Sequence, residues 1–427
     1  MSAPWGWRAR FRARAYFRDS LWVLPLACTV LGAVLGVASA RLDAAVETPV
    51  GLQYTPGTAT TVLTTIAGAM VGLLGLVVTI GVLVVQQATN ALSPRFMRLW
   101  YRQRLQKVVL GTFAGTFTFA FTNLRRVEDD SVPDLGVTAA GLLCAASLVL
   151  LLIYLNNFIQ HLRPVAVAAL VAAAGEQALA AARRSPSLRP AEDVTLPVGE
   201  PVLRIRASRS GAIQALNPRG LLAVARRYEC TVVLIHGIGN FVPAGATVVE
   251  VHGPGVPNAE DVERCLVQGV ERTVEQDPAF ALRILVDIAI RALSPAVNDP
   301  TTAVQVLDYI ESFLQSTAVV PLPGAYALTD DDGAHRVVIP GRRWDQYLEL
   351  ALTEVRQFGA MDVQVCRRLA ALLDQLLESV PDERRPAVQR ERVELAASVA
   401  RSFPDPTSRA LACQSDRQGI GGADRLQ

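Results

Sequence analysis

Lysine is nearly missing from this chain of 427 residues: Lys107 is the single one among 41 basic side chains, and the rest are arginine. That argues against a phosphate loop with its lysine, a Schiff-base lysine, and a lysine-borne lipoyl or biotin group. Cysteine is sparse as well. The six, at 28, 144, 230, 265, 366 and 413, include no C-x-x-C pair and read as reduced thiols, with neither a disulfide framework nor a zinc site. Charged residues make up only 19% of the chain and the net charge is +2, so no global field favours nucleic acid. No G-x-S-x-G occurs, and an α/β-type hydrolase needs that sharp turn to expose its serine. The segment TVVLIHGIGN at 231–240 therefore reads as a strand and turn, although it has the look of an oxyanion loop. FVPAGATVVEV at 241–251 has a faint likeness to a lipoyl half-barrel turn, but the lysine to be modified is absent.

What the chain has in excess is apolar length. Hydrophobic residues are 51% of it and crowd into the first part, leaving roughly 265 residues, enough for one or two ordinary domains. Thr61 to Gln86 holds neither a charge nor a proline. A helix of that run is ~39 Å long, more than the ~30 Å hydrocarbon core, so it spans with tilt. Thr61, Thr65, Gly68, Gly72, Gly75, Thr79, Gln86 and Asn90 recur in steps of three, four or seven and share one face. Ile66, Met70, Leu73, Val77, Ile80 and Val84 lie on the opposite one. The bulky face is expected to meet lipid. The small, weakly polar face is expected to turn inward, either as a packing surface or as the lining of a pore.

Three more spans are expected, at 21–40, 108–124 and 136–158. Residues 1–20 form a basic arm, with Arg8, Arg10, Arg12, Arg14 and Arg18 among Trp5, Trp7, Phe11, Tyr16 and Phe17. That mixture suits an anionic inner leaflet better than nucleic acid. Ala38-Ser39-Ala40 has the form of a signal-peptide cleavage site, but the long apolar run favours an uncleaved helix. In the third span Gly111 and Gly115 make a G-x-x-x-G helix-packing pair, continued by Thr118 and Thr122. Arg95, Arg98, Arg102, Arg104 and Lys107 follow the second span without an acid among them. The positive-inside rule then places both termini in the cytoplasm of a bacterial inner membrane. No span core carries Asp, Glu, Lys, Arg or His. This argues against a proton-coupled carrier or an intramembrane enzyme, whereas a channel needs no ionisable group.

After an Ala-rich stretch that prolongs the fourth span and a proline-rich linker (164–201), residues 202–256 read as a small β-rich subdomain. Within it 210–215, 231–235 and 247–251 are strands, and Asn217-Pro218 starts a helix. Residues 257–402 read as helical. Asp277-Pro278 and Asp299-Pro300 each supply an N-cap followed by proline at the first helical position, and further helices fit around 347–358, 363–380 and 383–400. Arg283, Asp287 and Arg291 share one helix face near Asn298 and Asp299. They form either an ion-pair ladder beside a capped turn, or a cluster for an anionic ligand or protein partner. Residues 403–427 are expected to be a disordered tail.

QDPAFALRILVDIAIRALSPAVNDPTTA at 276–303, QVLDYIE, QQATNALSPRFMR at 86–98 and VVLGTFAGTFTFAFTNLR at 108–125 together resemble the bacterial predicted-membrane-protein family known as domain of unknown function 2254. The resemblance implies a four-span inner-membrane protein and brings no activity, substrate or catalytic residue with it.

The sequence thus predicts an α-helical membrane protein of four transmembrane helices with a C-terminal cytoplasmic α+β domain. It is expected to be a homo-oligomer in a lipid bilayer, with no cofactor, metal or nucleic-acid partner. The leading functional expectation is a channel or passive pore gated or assembled by the cytoplasmic domain. The alternative is a membrane-tethered sensor or scaffold that binds an anion or partner. An enzyme is disfavoured, since no nucleophile–base pair, metal cluster or phosphate loop is present.

Overall fold

A computed structural model describes residues 6–43, 53–91, 104–129, 131–161, 163–183, 189–190, 197 and 199–418. Arg95, Arg98, Arg102 and most of the proline-rich linker lie outside them. The chain divides into two compact units. One is formed by residues 14–90 and 94–163. The other takes in 164–427 with the first thirteen residues and 91–93.

The first unit contains α2 (Val23–Asp43), α3 (Pro56–Ala91), α4 (Arg104–Leu124) and α5 (Asp134–His161); α1 (Trp7–Asp19) precedes them. The tightest packing is between α2 and α4. A Cβ on Gly32 would lie 2.2 Å from the Gly115 carbonyl oxygen, and one on Gly115 would lie 3.0 Å from that of Cys28. A Cβ on Gly111 would meet the Cys28 sulfur at 2.9 Å. Only residues without side chains let two helix backbones approach this closely, and close approach supplies the van der Waals contact that holds helices together where lipid tails remove the hydrophobic drive. Side chains at one end tie the helices further. Asp43 accepts from the Leu135 N–H at 2.8 Å and the Gly136 N–H at 3.4 Å, capping α5 from outside its own chain segment. The fully buried Asn123 accepts from Ser39 at 3.0 Å and donates to the Phe119 carbonyl at 3.0 Å.

Among the described residues four helices are long and apolar enough to cross a membrane: Val23–Asp43, Pro56–Leu83, Asp134–Phe158 and Pro164–Ala182. The expected third span is not among them. It belongs to α4, whose Gln106, Lys107, Thr116 and Asn123 are all buried against neighbouring helices. A helix with that much of its surface covered by protein has less need of apolar residues. Pro164–Ala182, read from the sequence as a prolongation of the fourth span, is instead a separate helix, α6 (Pro164–Arg183), begun by Pro164 and grouped with the C-terminal unit. Its Val167, Ala168, Val171 and Ala172 are buried, and a Cβ on its Gly175 would lie 2.6 Å from Ala281 and 2.8 Å from Phe313.

The C-terminal unit is α+β. A three-stranded antiparallel sheet has the order β5 (Phe241–Val242), β3 (Gly211–Leu216), β7 (Leu266–Gly269). A six-stranded sheet has the order β1 (Arg189–Pro190), β8 (Ala325–Thr329), β9 (His335–Pro340), β4 (Thr231–Leu234), β6 (Thr247–His252), β2 (Leu203–Arg206). The β4–β9 pairing is parallel, with Val232 opposite Val337 and Val233 opposite Val338. Strands from 202–256 thus pair with strands from beyond 257, and β1 pairs with β8. The expected boundaries at 201 and 256 are therefore not domain boundaries. Chain connectivity hides this, because a sheet joins strands far apart in sequence.

α7 (Pro218–Arg227) is capped by Asn217, whose side chain accepts from the Gly220 N–H, and buries Leu221, Val224 and Ala225 under the larger sheet's core. α8 (Ala259–Glu263) is short. α9 (Pro278–Ala292) and α10 (Pro300–Ala318) begin at the Asp277 and Asp299 caps. α9 is almost wholly buried, from Ala279 through Ile288 to Ala292. α11 (Trp344–Gly359), α12 (Val363–Ser379) and α13 (Arg385–Ser402) complete the helical layer. The supposed disordered tail begins with α14 (Pro406–Cys413), capped by Asp405 and burying Ala412. An Asp-Pro start outweighs the polar composition there.

Candidate functional site

Three places compete: the outer face of α3, the arginine cluster on α9, and a cleft in the C-terminal unit. α3 is turned opposite to the expectation. Ile66, Met70 and Val77 are buried against Phe113, Phe119 and Val109, and Leu73 and Ile80 pack on the same cluster. Thr61, Thr65, Gly68, Gly72, Gly75, Thr79 and Gln86 are exposed. A Cβ added at Gly68, Gly72 or Gly75 would meet nothing within 4 Å. Among the described residues of one chain the small face packs against nothing, because the interior needs volume and only the bulky face supplies it. The hydroxyls of Thr61, Thr65 and Thr79 donate to the carbonyls of Gly57, Thr61 and Gly75 at 2.7–2.9 Å. They are satisfied within the helix and present lone pairs outward. The side chains of Asn90 and Val84 lie outside the described residues.

On α9, Arg283 Nε donates to Asp287 at 2.7 Å, and its two terminal nitrogens donate to the two carboxylate oxygens of Glu354 on α11, one of them at 2.7 Å. The bond to Glu354, then that to Asp287, holds the guanidinium above its ordinary pKa. Its fork is filled. Arg291 has its Nε buried with no hydrogen-bond partner among the described residues. Asn298 takes the left-handed φ of 48°, which asparagine tolerates, and closes a turn on Ser294, its N–H donating to that carbonyl at 2.8 Å. Asp299 caps α10, accepting from the N–H and hydroxyl of Thr302. Arg283 and Asp287 are joined directly, whereas Asn298 and Asp299 serve the turn and the cap.

The cleft has a volume of about 600 Å³, well within the range of small-molecule sites. It lies where the HGIG turn after β4, the start of α9, the loop 320–322, the end of β9 and the first turn of α11 meet beside the last turns of α6. Its apolar wall includes Leu179, Ile238, Leu322 and Ile339. Its polar wall includes Arg342, Gln346, Tyr326 and Tyr347. Asp277, only 5% exposed, receives two bonds from Arg272, at 2.7 and 3.0 Å, and one from the Phe280 N–H. Arg272 stacks over the Phe280 ring, 4.9 Å from its centre. Burial pushes the Asp277 carboxyl up, and Arg272 opposes that push. Burial likewise pushes the Tyr347 and Tyr326 phenols above their ordinary pKa, so both remain neutral donors. Among the described residues the lining holds no serine, threonine, cysteine or histidine.

The sequence signalled none of Arg342, Gln346, Tyr326 and Tyr347 as a group. They come from β8, the β9–α11 turn and the first turn of α11, and only the sheet order brings them to the Asp277 cap. The HGIGN turn was conspicuous, and it does line this cleft, through Gly237, Ile238 and Asn240. Among the described residues no group of three or more His, Cys, Asp or Glu is placed to hold a metal ion.

Comparison with known proteins gives the chain a family without an activity. It is 30% identical to an uncharacterised protein of Mycobacterium bovis over 431 aligned positions, covering 93% of this chain and 79% of that one. An uncharacterised protein of Mycobacterium tuberculosis strain H37Rv shows the same 30% identity over the same 93% and 79%. No solved structure matches. The family described as predicted membrane protein, domain of unknown function 2254, matches residues 18–375, and with its apolar helices and α+β unit the chain belongs to that family.

Proposed function

We propose that the protein is a homo-oligomer of the bacterial inner membrane in which the α3 helices of neighbouring copies meet through their small faces and enclose a passive pore. The C-terminal α+β unit lies on the cytoplasmic side and assembles or gates it. The observation that carries this reading is the outward Thr61–Gln86 face of α3, open at Gly68, Gly72 and Gly75. Small residues are what closely approaching membrane helices need, and the outward lone pairs of Thr61, Thr65 and Thr79 suit a weakly polar lining.

The test is made on purified protein in planar bilayers and in a cysteine-free background. Conductance is expected from wild type, and Gly72→Cys is expected to crosslink between chains while Met70→Cys does not. Silence across voltage, with no crosslink at position 72 or 75, rejects the reading. A second reading, a membrane-tethered sensor, is favoured by the cleft. Its ligand would enter there and not at Arg283, whose donors are already taken by Asp287 and Glu354. The cleft lacks the nucleophiles and histidine that an acyl-transfer enzyme would use, so we propose no enzymatic role.

A further inference from the structure

We propose that the cleft beside Asp277 is a binding site for a small amphiphile with one negative charge, a carboxylate on an apolar body, held by Arg342. This stands apart from the pore reading and holds whether or not the protein conducts.

Some polar groups of the cleft are already matched within the fold, and others are not. Asp277 is satisfied by Arg272 and the start of α9. Gln276 is locked to the main chain of Leu216, accepting from its N–H at 2.9 Å and donating to its carbonyl at 3.2 Å. Arg343, next to Arg342 in sequence, is bound by Asp345 at 2.9 Å. Arg342 is different: among the described residues no carboxylate lies within ion-pair distance of it, and no hydrogen bond engages its guanidinium. Tyr347 is 4% exposed, yet no hydrogen bond engages its hydroxyl among the described residues. The Arg342 charge acts on Asp277 and Tyr347 across the cleft, while its donors and the Tyr347 hydroxyl, with no acceptor among the described residues, are left to meet a bound group. Both line the same cavity, and a carboxylate matches a guanidinium fork while leaving an oxygen for a phenol.

The rest of the lining sets the ligand's character. Among the described residues Arg342 is the one cation of the lining, and Glu275 and Asp277 stand in the same wall. A dianion or polyphosphate would meet those carboxylates, so a single charge is selected. Opposite lie Leu179, Leu322 and Ile339, which reward an apolar body. The cavity's 600 Å³ admits a chain of about ten carbons with room for solvent.

The probe is a ten-carbon carboxylate bearing a diazirine, irradiated with full-length protein in nanodiscs, with the attachment sites read by peptide mass spectrometry. Expected is labelling in segments 178–182, 320–322 or 339–347, competed by decanoate and not by decanol. Arg342→Gln is expected to weaken that competition about tenfold, while Arg342→Lys retains part of it. Leu322→Trp, which fills the apolar end, is expected to abolish labelling even if Arg342→Gln fails to fold. Labelling confined to the membrane helices, equal competition by decanol, or labelling indifferent to Arg342→Gln in a folded protein overturns the proposal.

Discussion

Arg283 on α9 grips Glu354 on α11 with both terminal nitrogens while its Nε holds Asp287 one turn along its own helix. The three side chains join two helices of the C-terminal layer. The pair is half-buried: the Arg283 side chain is 21% exposed and that of Glu354 40%. Exposed pairs contribute little and buried ones cost several kcal/mol when one partner is removed. Between those limits, Arg283→Ala is expected to cost about 1–2 kcal/mol. Denaturation of the purified protein checks it. The double change with Glu354→Ala is expected to cost less than the sum of the two single changes. A silent Arg283→Ala would mean that the α9–α11 contact does not depend on this grip.

That grip shows what could and could not be read in advance. The four-residue spacing of Arg283 and Asp287 is a local pattern, and so are Asn217-Pro218, Asp277-Pro278 and Asp299-Pro300, each of which starts the helix it promised. Glu354 lies 71 residues away, and nothing in the spacing could announce it. The same limit hid the hairpin at 325–340, whose β9 enters the sheet beside β4 in parallel, and with it the cleft. The two faces of α3 were legible, but their direction was not. Periodicity divides a helix into sides, and in a membrane either side can be the inner one, because lipid and protein interior are equally apolar.

The β8–β9 turn carries a pH signature. Arg336 donates to Asp330 at 2.6 Å, and the N–H groups of Ala334 and Asp332 add to it, so the carboxyl is held below the usual carboxylate range. A carboxyl with a lowered folded pKa adds stability at pH above its unfolded value of about 3.9 and loses it as the pH falls through the folded one. Wild type is therefore expected to lose stability between pH 5 and 3 more steeply than Asp330→Asn. Parallel curves for the two proteins would exclude the contribution.

Thiol reactivity separates the buried cysteines from the exposed one. Burial, with Asp261 nearby, pushes the Cys265 thiol up to about 12, and burial, with Asp362 nearby, does the same to Cys366. At pH 8 only about one molecule in ten thousand is then a thiolate at either site. Cys413 is exposed on α14. Iodoacetamide is expected to label Cys413 in native protein while Cys265 and Cys366 stay protected until denaturant is added. Labelling of Cys366 at the rate of Cys413 would contradict the packing of α14 on α12.

Two glycines of the membrane unit are expected to answer the same substitution in opposite ways. Gly115 lies against the Cys28 carbonyl, and its own carbonyl lies where a Gly32 side chain would be. Leucine there must push α2 away from α4, and main-chain atoms cannot swing aside as a flexible side chain can. Gly115→Leu is expected to yield little folded protein in detergent, with a melting temperature lowered by several degrees in what survives. At Gly72 a Cβ meets nothing within 4 Å among the described residues. Gly72→Leu also gains helix propensity of up to about 1 kcal/mol. It is expected to leave the single chain as stable as wild type and to change only how copies associate, read as a shift in size-exclusion mass and in conductance. Equal damage at both positions would place Gly72 inside the chain's own packing. No effect on association would leave α3 facing lipid, with no second copy against it.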